Sequence, residues 1–210
     1  MTNDHRTMEL ALTRPALLVL DMQNDLLAGK RLTARGAYDA ALKIITPLQR
    51  LLAAARAAAV PVIYVVNVYR DDYIDAHRRS PSRKYGTMKR GAPGSDVTPE
   101  LAPQAGDRLV EKHRPSAFYC TDLQILLKAL KVETLLLAGI STPGAVSSTA
   151  RDGFNYDYEV VLVSDCCAAE QERLHEAELE ALSLFMARVM DSSQVIANLP
   201  AQLQAEGAGA

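Results

Sequence analysis

Residues 132–152 constrain the fold of this chain more than any other stretch, because they join a strand to a helix through a turn rich in small residues. The segment 132–138 is mostly apolar and of strand length, the turn GISTPGAV spans 139–146, and SSTARD at 147–152 has the pattern of the first turns of a helix. The first N–H groups of a helix have no intrahelical acceptor, and the helix dipole adds partial positive charge there. Such a turn can hold a developing oxyanion, so the sequence predicts a functional elbow at the end of a strand.

The tip of this elbow carries Ala145, a residue without a nucleophilic atom. A Ser or Cys would make chemical sense here, because the elbow would present it beside the groups that stabilise an oxyanion. The methyl group in its place is the main question that the sequence raises.

Short apolar runs alternate with helical patterns along the rest of the chain. Strands are predicted over 16–20, 62–66, 108–112, 132–138, 159–163 and, as a short edge strand, 188–190. Helices are predicted over 38–59, where Pro47 should kink or split the helix, over 122–130 with Thr121 as N-cap, and over 170–187. The apolar side of this last helix is expected to comprise Leu174, Ala177, Ala181, Leu182 and Phe185.

This alternation predicts an α/β fold, a single three-layer doubly wound domain with a mostly parallel six-stranded sheet. We expect this domain to cover residues 1–210, with peripheral tails at 1–14 and 200–210. The 210 residues, of which 49% are apolar, suit one such domain with a full core.

Composition excludes several classes of function. The 23 basic and 25 acidic residues nearly cancel, which gives no reason to expect nucleic acid as a partner. No apolar run reaches the ~20 residues of a membrane span, and the polar N-terminus has no signal core, so we expect a cytoplasmic protein without a membrane partner. The three cysteines are too few and too irregularly spaced for a disulfide framework or a zinc site, and each is expected to be an inert core residue. No glycine fingerprint follows the first strand, so a dinucleotide is not predicted.

Two charged residues stand at strand ends, where the catalytic groups of open α/β sheets collect. Asp21 follows the first predicted strand and Lys112 ends the third. An Asp in such a place is more often a turn or helix cap, and a lone Lys is usually solvated. If the two strands are neighbours, however, the side chains meet and form a functional pair. Asp165 is predicted at the end of the fifth strand.

The segment 67–107 is polar, rich in Pro and Gly, and long for a connection inside a compact domain, which favours a lid or specificity loop. Its basic residues could clamp an anionic substrate group or contact another subunit, although a solvated basic loop is the commoner arrangement. These residues are Arg70, Arg78, Arg79, Arg83, Lys84, Lys89 and Arg90.

Three blocks together resemble the isochorismatase-like cysteine hydrolases, a family that includes nicotinamidases and amidases of carbamoyl and ureido compounds. The blocks are LLVLDMQND at 17–25, KHRPSAF at 112–118 with Thr121 and Leu123, and GIST at 139–142 through Val146 to TARD at 149–152, followed by Asp165. Each block alone is modestly specific. Their order and separation, over nearly the whole of residues 16–199, make the resemblance strong.

The resemblance implies a hydrolase that cleaves a small C–N bond substrate with a Cys-Asp-Lys triad. Asp21 and Lys112 stand at the Asp and Lys positions, and Ala145 stands at the position of the nucleophile. The N–H groups of Ser141 and Ala145 would form the oxyanion hole, with a cis peptide bond between Ile140 and Ser141. The native form would thus be a cysteine-dependent amidohydrolase, and the chain as it stands would be inactive.

Three explanations compete for Ala145. It is an engineered Cys→Ala substitution, or it marks a natural pseudoenzyme that binds a ligand or partner, or it belongs to a vinyl-ether hydrolase of the isochorismatase type in which Asp21 acts as general acid. The retained Asp21, Lys112 and elbow favour the first. The second and third become stronger if the source gene encodes alanine.

The resemblance also bears on ligands and assembly. The metal-binding Asp-x-His pattern of nicotinamidases is missing from NVYRDD at 67–72, so we expect no metal and no other cofactor. Candidate residues for binding a small-molecule substrate are Asn24, Arg70, Phe118 and Thr142. We expect a homodimer or homotetramer whose sites are completed or covered by the segment 67–107.

Overall fold

A computed structural model describes the protein in residues 11–27 and 39–200. Within these residues, one parallel sheet has the strand order β3-β2-β1-β4-β5-β6. Its strands are β1 Pro15–Leu20, β2 Val62–Asn67, β3 Arg108–Lys112, β4 Thr134–Ile140, β5 Glu159–Ala168 and β6 Arg188–Met190. The helices are α1 Asn24–Leu27, α2 Asp39–Lys43, α3 Ile45–Ala57, α4 Pro81–Tyr85, α5 Leu123–Ala129, α6 Ser147–Asn155, α7 Glu172–Ser183 and α8 Ser192–Ala197.

Two layers of helices cover the sheet, which is the predicted three-layer α/β architecture. Strand β1 is buried along its whole length, because its side chains alternate between two apolar cores. On one face Leu17 and Val19 belong to a core that includes residues of α3 and α8. On the other face Leu18 and Leu20 belong to a core that includes residues of α5, α6 and α7. The sheet is fully parallel, where the sequence predicted a mostly parallel one.

The predicted helix over 38–59 is split in two, as Pro47 indicated, although Tyr38 lies outside the described residues. The break falls at Ile44 rather than at the proline. Pro47 is the third residue of α3. The N–H groups of the first helical turn have no intrahelical acceptor, so a proline there costs the helix no hydrogen bond. Strand β4 begins and ends two residues later than predicted. Most of the predicted tails 1–14 and 200–210 lies outside the described residues as well, but Leu12 is described and is not peripheral, since it is buried in the core that includes α3.

Three other predictions about the second half of the chain were wrong in detail. Strand β5 continues to Ala168, so Asp165 lies within it and not at its end. Its carboxylate accepts hydrogen bonds from the N–H and hydroxyl of Ser192, at 2.7 and 2.6 Å, and so fixes the start of α8. The predicted apolar side of α7 is only partly buried. Leu182 is buried, but Ala177 and Ala181 are exposed, and the helix ends before Phe185, which is 68% exposed.

The segment 67–107 contains α4 and two short 3₁₀ turns and is tied to the residues that follow β1. The wholly buried Gln23 side chain donates to the carbonyls of Asn67 and Ser95, at 3.1 and 2.7 Å, and accepts from the Asn67 N–H at 2.9 Å. The Asp25 carboxylate accepts from the Met88 N–H at 2.9 Å. These bonds hold the segment over the carboxyl edge of the sheet.

Candidate active site

The site lies where the strand order reverses, at the carboxyl ends of β1 and β4, which is the usual ligand position in open α/β sheets. A cavity of about 500 Å³ opens there. Its floor, which we define as Asp21, Asn67, Lys112, Ser141 and Ala145, comes from strand ends and from the elbow. Its rim, which we define as His77, Arg79, Ser80, His113 and Arg114, comes from connections. Apolar side chains such as Tyr69, Pro81 and Ile140 complete the walls.

Asp21 and Lys112 form a buried ion pair on the floor. The Lys112 Nζ donates to Asp21 Oδ2 at 2.8 Å, and the two side chains are 1% and 9% exposed. The same ammonium donates to the Arg114 carbonyl at 3.1 Å. A lysine this deeply buried needs a carboxylate partner, because an unpaired charge pays a large desolvation penalty. The two side chains thus meet as the strand-end argument predicted, but the strands are not neighbours, since β2 lies between β1 and β3 and the long Lys112 side chain reaches past it.

Asn67 lies between them, because β2 separates β1 from β3 and Asn67 pairs in register with Lys112. The residue is 8% exposed, and its backbone groups bond to Gln23. Its side-chain oxygen accepts no hydrogen bond within the described residues. A buried amide facing a cavity in this state is a natural partner for a polar group of a ligand.

The elbow follows β4 and places Ser141 and Ala145 on the floor. The Ile140–Ser141 peptide bond is cis, as the resemblance implied. Residues Thr142–Val146 form a π-helical turn that leads into α6, and such turns occur often at functional sites. The Ser141 carbonyl accepts from the N–H groups of Gly144 and Val146, at 2.9 and 3.2 Å.

Gly139 lets the elbow leave the sheet beside β1. Its φ of 116° is disfavoured for residues with a side chain. A Cβ atom at this position would lie 2.1 Å from the Leu20 carbonyl oxygen. Close contact between the ends of β1 and β4 therefore requires glycine here.

The four side chains predicted to bind substrate do not line this cavity. The Asn24 amide donates to the Pro93 carbonyl at 2.8 Å, and Phe118 packs against the rings of Tyr156 and Tyr158. The Arg70 side chain is 69% exposed and lies 4.0 Å from the Asp75 carboxylate. Thr142 is wholly buried and bonds to His175. Closeness in sequence to Asp21 or to the elbow did not place these side chains in the cavity.

The rim carries two guanidinium groups, that of Arg114, which sequence reasoning did not name as a ligand-binding candidate, and that of Arg79, which it named only as one of seven basic loop residues. The Arg114 Nη1 donates to the carbonyls of Asp75 and His113, at 2.8 and 2.7 Å, which orients the guanidinium without neutralising it. Arg79 is exposed and is the one residue of the seven basic loop residues that lines the cavity. Within the described residues, no carboxylate lies within ion-pair distance of either guanidinium. Sequence reasoning also missed the floor residue Asn67, although its position at the end of a strand could have predicted its place in the site.

The two rim histidines have assignable tautomers. His113 Nδ1 lies 2.6 Å from the Val68 carbonyl, so this nitrogen donates. His77 Nδ1 accepts from the Arg79 N–H at 3.1 Å, so in the neutral ring the proton is on Nε2. In residues 11–27 and 39–200, no three His, Cys, Asp or Glu side chains are grouped so that they could hold a metal ion. In the same residues no helix is long and apolar enough to cross a membrane.

The cysteines lie outside the cavity lining. Cys166 and Cys167 are buried as predicted, and burial raises the pKa of the Cys167 thiol to about 12 and that of Cys166 further. The prediction for Cys120 was wrong. It is exposed, with a φ of 53°, in the loop that precedes α5.

Comparison with known proteins gives a consistent result. The sequence profile of the isochorismatase domain matches residues 15–194. A ureidoacrylate amidohydrolase, RutB, of Methylobacterium radiotolerans is 31% identical, with 83% of this chain and 75% of that protein covered. The RutB of Acinetobacter baylyi is 30% identical, with 90% and 84% covered.

Two solved structures are similar in fold. A cysteine hydrolase from Pseudomonas syringae has a TM-score of 0.80 at 30% identity, with 89% of this chain and 92% of that chain covered. An N-carbamoylsarcosine amidase from Thermoplasma acidophilum has a TM-score of 0.71 at 30% identity, with 85% and 96% covered.

Proposed function

The chain belongs to the isochorismatase family, and from this premise we propose that its cavity is the site of a hydrolase that cleaves a C–N bond of a small amide, carbamoyl or ureido compound. The relatives called an amidohydrolase and an amidase support this reaction class. The observation that carries the proposal is the buried pair of Asp21 and Lys112, joined at 2.8 Å in the cavity that Ala145 also lines.

The proposed chemistry requires a cysteine at position 145. Asp21 takes the thiol proton while Lys112 holds the carboxylate, and the thiolate attacks the substrate carbonyl carbon. The carbonyl electron pair moves to oxygen, and its collapse breaks the C–N bond as Asp21 returns the proton to nitrogen. Water, deprotonated by Asp21, then attacks the thioester, and the thiol leaves with that proton.

The elbow would stabilise the tetrahedral oxygen in both halves of this reaction. The N–H groups of Ser141 and Ala145 are the proposed donors, since both residues line the cavity and follow the end of β4. Preorganised backbone donors of this kind typically contribute roughly 100- to 1,000-fold each to the rate. The start of the helical turn would also lower the pKa of a thiol at position 145.

The chain as it stands retains binding but lacks this covalent route, because the Ala145 methyl group cannot attack a carbonyl. The codon for residue 145 in the source gene separates an engineered substitution from a natural alanine. A natural alanine would support a binding protein or a route without a covalent intermediate.

A second candidate function is hydrolysis of a vinyl ether. Asp21 protonates the double bond as general acid, water adds to the resulting cation and returns a proton to Asp21, and the adduct then breaks its C–O bond to release a carbonyl compound and an alcohol. Ala145 favours this candidate, since the route needs no nucleophile at the tip of the elbow. Pairing with the Lys112 ammonium stabilises the Asp21 carboxylate, which serves the first candidate as a base, whereas the second candidate needs Asp21 to carry a proton.

We propose that the substrate is small and carries a carboxylate or a strongly polar carbonyl. Two guanidinium groups of the rim, those of Arg79 and Arg114, meet no carboxylate of the described residues and can pair with such a group. The buried Asn67 amide would bind the amide or ureide at the floor.

Ammonia release by the unchanged chain and by Ala145→Cys, over a panel of carbamoyl amino acids, ureido acids and simple amides, tests the proposed function. We expect release by Ala145→Cys on carboxylate-bearing members and none by the unchanged chain. Asp21→Asn in the Ala145→Cys background is the matched control, and it should abolish release. If Ala145→Cys releases ammonia from none of these compounds, the proposed C–N hydrolase is excluded. Turnover of a vinyl ether by the unchanged chain would establish the second candidate function.

We also propose a homodimer or homotetramer in which the segment 67–107 contacts a neighbouring subunit. This segment exposes two large apolar side chains, Ile74 at 74% and Tyr85 at 48%. Light scattering at micromolar concentration should report a multiple of the 22.8 kDa chain mass. A monomer under these conditions would exclude the proposal.

A further inference from the structure

We infer that His175 is a positioning residue for the elbow, which it holds through the hydroxyl of Thr142 from the far side of the turn. This role rests on the proposed function, because the turn is the one that would carry the oxyanion hole. It assigns a task to a side chain of α7 that lies outside the cavity lining.

The contact between α7 and the elbow is short and partly buried. The Thr142 Oγ1 lies 2.8 Å from His175 Nδ1. Thr142 is wholly buried and is the first residue of the π-helical turn, directly after the cis peptide bond and Ser141. His175 is the fourth residue of α7 and is half-buried.

The direction of this hydrogen bond follows from burial. A buried hydroxyl proton needs an acceptor, and the acceptor that the structure places beside it is the Nδ1 lone pair of a neutral imidazole. Burial lowers the pKa of His175, which favours the neutral ring, whereas Glu172 and Glu176 of the same helix act in the opposite direction. The Thr142 hydroxyl therefore donates, and the remaining proton of the ring is on Nε2.

The hydrogen bond between Thr142 and His175 matters because Thr142 lies between the two proposed oxyanion donors. Ser141 precedes it, and Ala145 follows it within the same turn, so the two proposed oxyanion donors are placed by a backbone that Thr142 anchors. Ala145 and Val146 pack into the core beside the turn, but within the described residues the bond from Thr142 to His175 is the one side-chain hydrogen bond that joins residues 141–146 to another element. A shift of the turn would misalign both N–H groups and reduce kcat more than it changes KM.

The reactivity of a thiol at position 145 tests this inference without a substrate. The parent protein carries Ala145→Cys and also Cys120→Ser, which removes the exposed thiol, while Cys166 and Cys167 are buried with raised pKa values. The rate of alkylation of residue 145 by iodoacetamide is measured from pH 5 to 10 by peptide mass spectrometry. Position 145 stands two residues before the first residue of α6, and the N-terminus of this helix lowers the pKa of the thiol only while the turn is held in place.

We expect His175→Ala to raise the midpoint of the plot of alkylation rate against pH by at least ~0.5 pH unit. This shift slows alkylation of residue 145 about threefold at pH 7. Thr142→Val, which removes the hydroxyl and keeps the shape, should give the same shift and decides the matter if His175→Ala does not fold. His175→Asn and Thr142→Ser should restore the parent profile, because an amide oxygen can replace Nδ1 and a serine hydroxyl can replace that of threonine. Glu176→Gln, one residue along α7, is the matched control and should leave the profile unchanged.

A folded His175→Ala or Thr142→Val protein whose profile superimposes on that of the parent would overturn the inference. Equal shifts in Glu176→Gln would overturn it as well, because the effect would then come from the charge of α7 and not from the hydrogen bond. Neither result depends on turnover. If the Ala145→Cys protein hydrolyses nothing, the proposed function fails, and the alkylation profile still decides the role of His175.

Discussion

The floor and the rim of the cavity are built in opposite ways. The floor comes from strand ends and the elbow, and its charges are buried and paired, with Lys112 and Asp21 at 2.8 Å. The rim comes from connections, and its guanidinium groups meet no carboxylate within the described residues. A buried charge is stable only in the geometry that pairs it with its partner, whereas a solvated charge remains available to bind a ligand. We therefore propose that the floor determines the reaction and that the rim selects the substrate.

The largest effect should follow from breaking the ion pair of the floor. Lys112→Met leaves the Asp21 carboxylate buried without its ammonium partner, so we expect a loss of about 3–5 kcal/mol in the free energy of unfolding at pH 7. Urea denaturation measures this loss. The double variant Asp21→Asn with Lys112→Met should regain part of it, because no charge is then buried.

Arg79→Met is the rim control for this experiment. It removes an exposed charge with no ion-pair partner in the described residues, so stability should stay within about 0.5 kcal/mol of the parent. Similar losses for Lys112→Met and Arg79→Met would show that the two regions do not differ in the way we describe.

A smaller effect should separate a glycine of the elbow, Gly139, from a glycine of the segment 67–107, Gly91. Gly139→Ala forces a Cβ against the Leu20 carbonyl, 2.1 Å away, at a φ of 116°, and should cost about 3 kcal/mol. Gly91 also has a positive φ, 75°, but an added Cβ there meets nothing within 4 Å. Gly91→Ala should therefore cost only the backbone preference, about 1 kcal/mol, in the same urea experiment. Equal costs would mean that the close contact of β1 with β4 does not constrain the fold.

The smallest effect should appear in kinetics and not in stability. In the Ala145→Cys background, Arg79→Met should raise KM about tenfold for a carboxylate-bearing substrate, a difference of about 1.4 kcal/mol, with kcat unchanged. Arg70→Met is the matched control, because Arg70 belongs to the same segment and is exposed but does not line the cavity. A similar, salt-sensitive change for both variants would indicate surface electrostatics only.

The difference between floor and rim also explains what the sequence could predict. Asp21 follows one predicted strand and Lys112 ends another, and parallel strands bring their carboxyl ends to one edge of the sheet. The elbow was predicted because a turn of small residues follows a predicted strand. Asn67 also ends a strand, so the same argument applies to it, but its side chain carries no charge and did not mark it as a candidate.

The side chains of connecting loops were predicted less well, because distance along the sequence does not indicate which loop residues line the cavity. Arg70 and Arg79 are alike in sequence context, yet only Arg79 lines the cavity. Asn24 is three residues from Asp21, but its amide turns to the Pro93 carbonyl. Asp165 was placed at a strand end because β5 was predicted too short, and its carboxylate instead fixes α8.

The most direct test of the central claim, that the floor is a Cys-Asp-Lys site lacking only its nucleophile, is the intact mass of Ala145→Cys quenched in acid during turnover. We predict a mass increase equal to the acyl part of the substrate, located on residue 145, formed as ammonia is released and lost as the substrate is exhausted. Asp21→Asn in the same background should show no adduct. Release of ammonia at equal rates by the unchanged chain and by Ala145→Cys, with no adduct on residue 145, would contradict the claim.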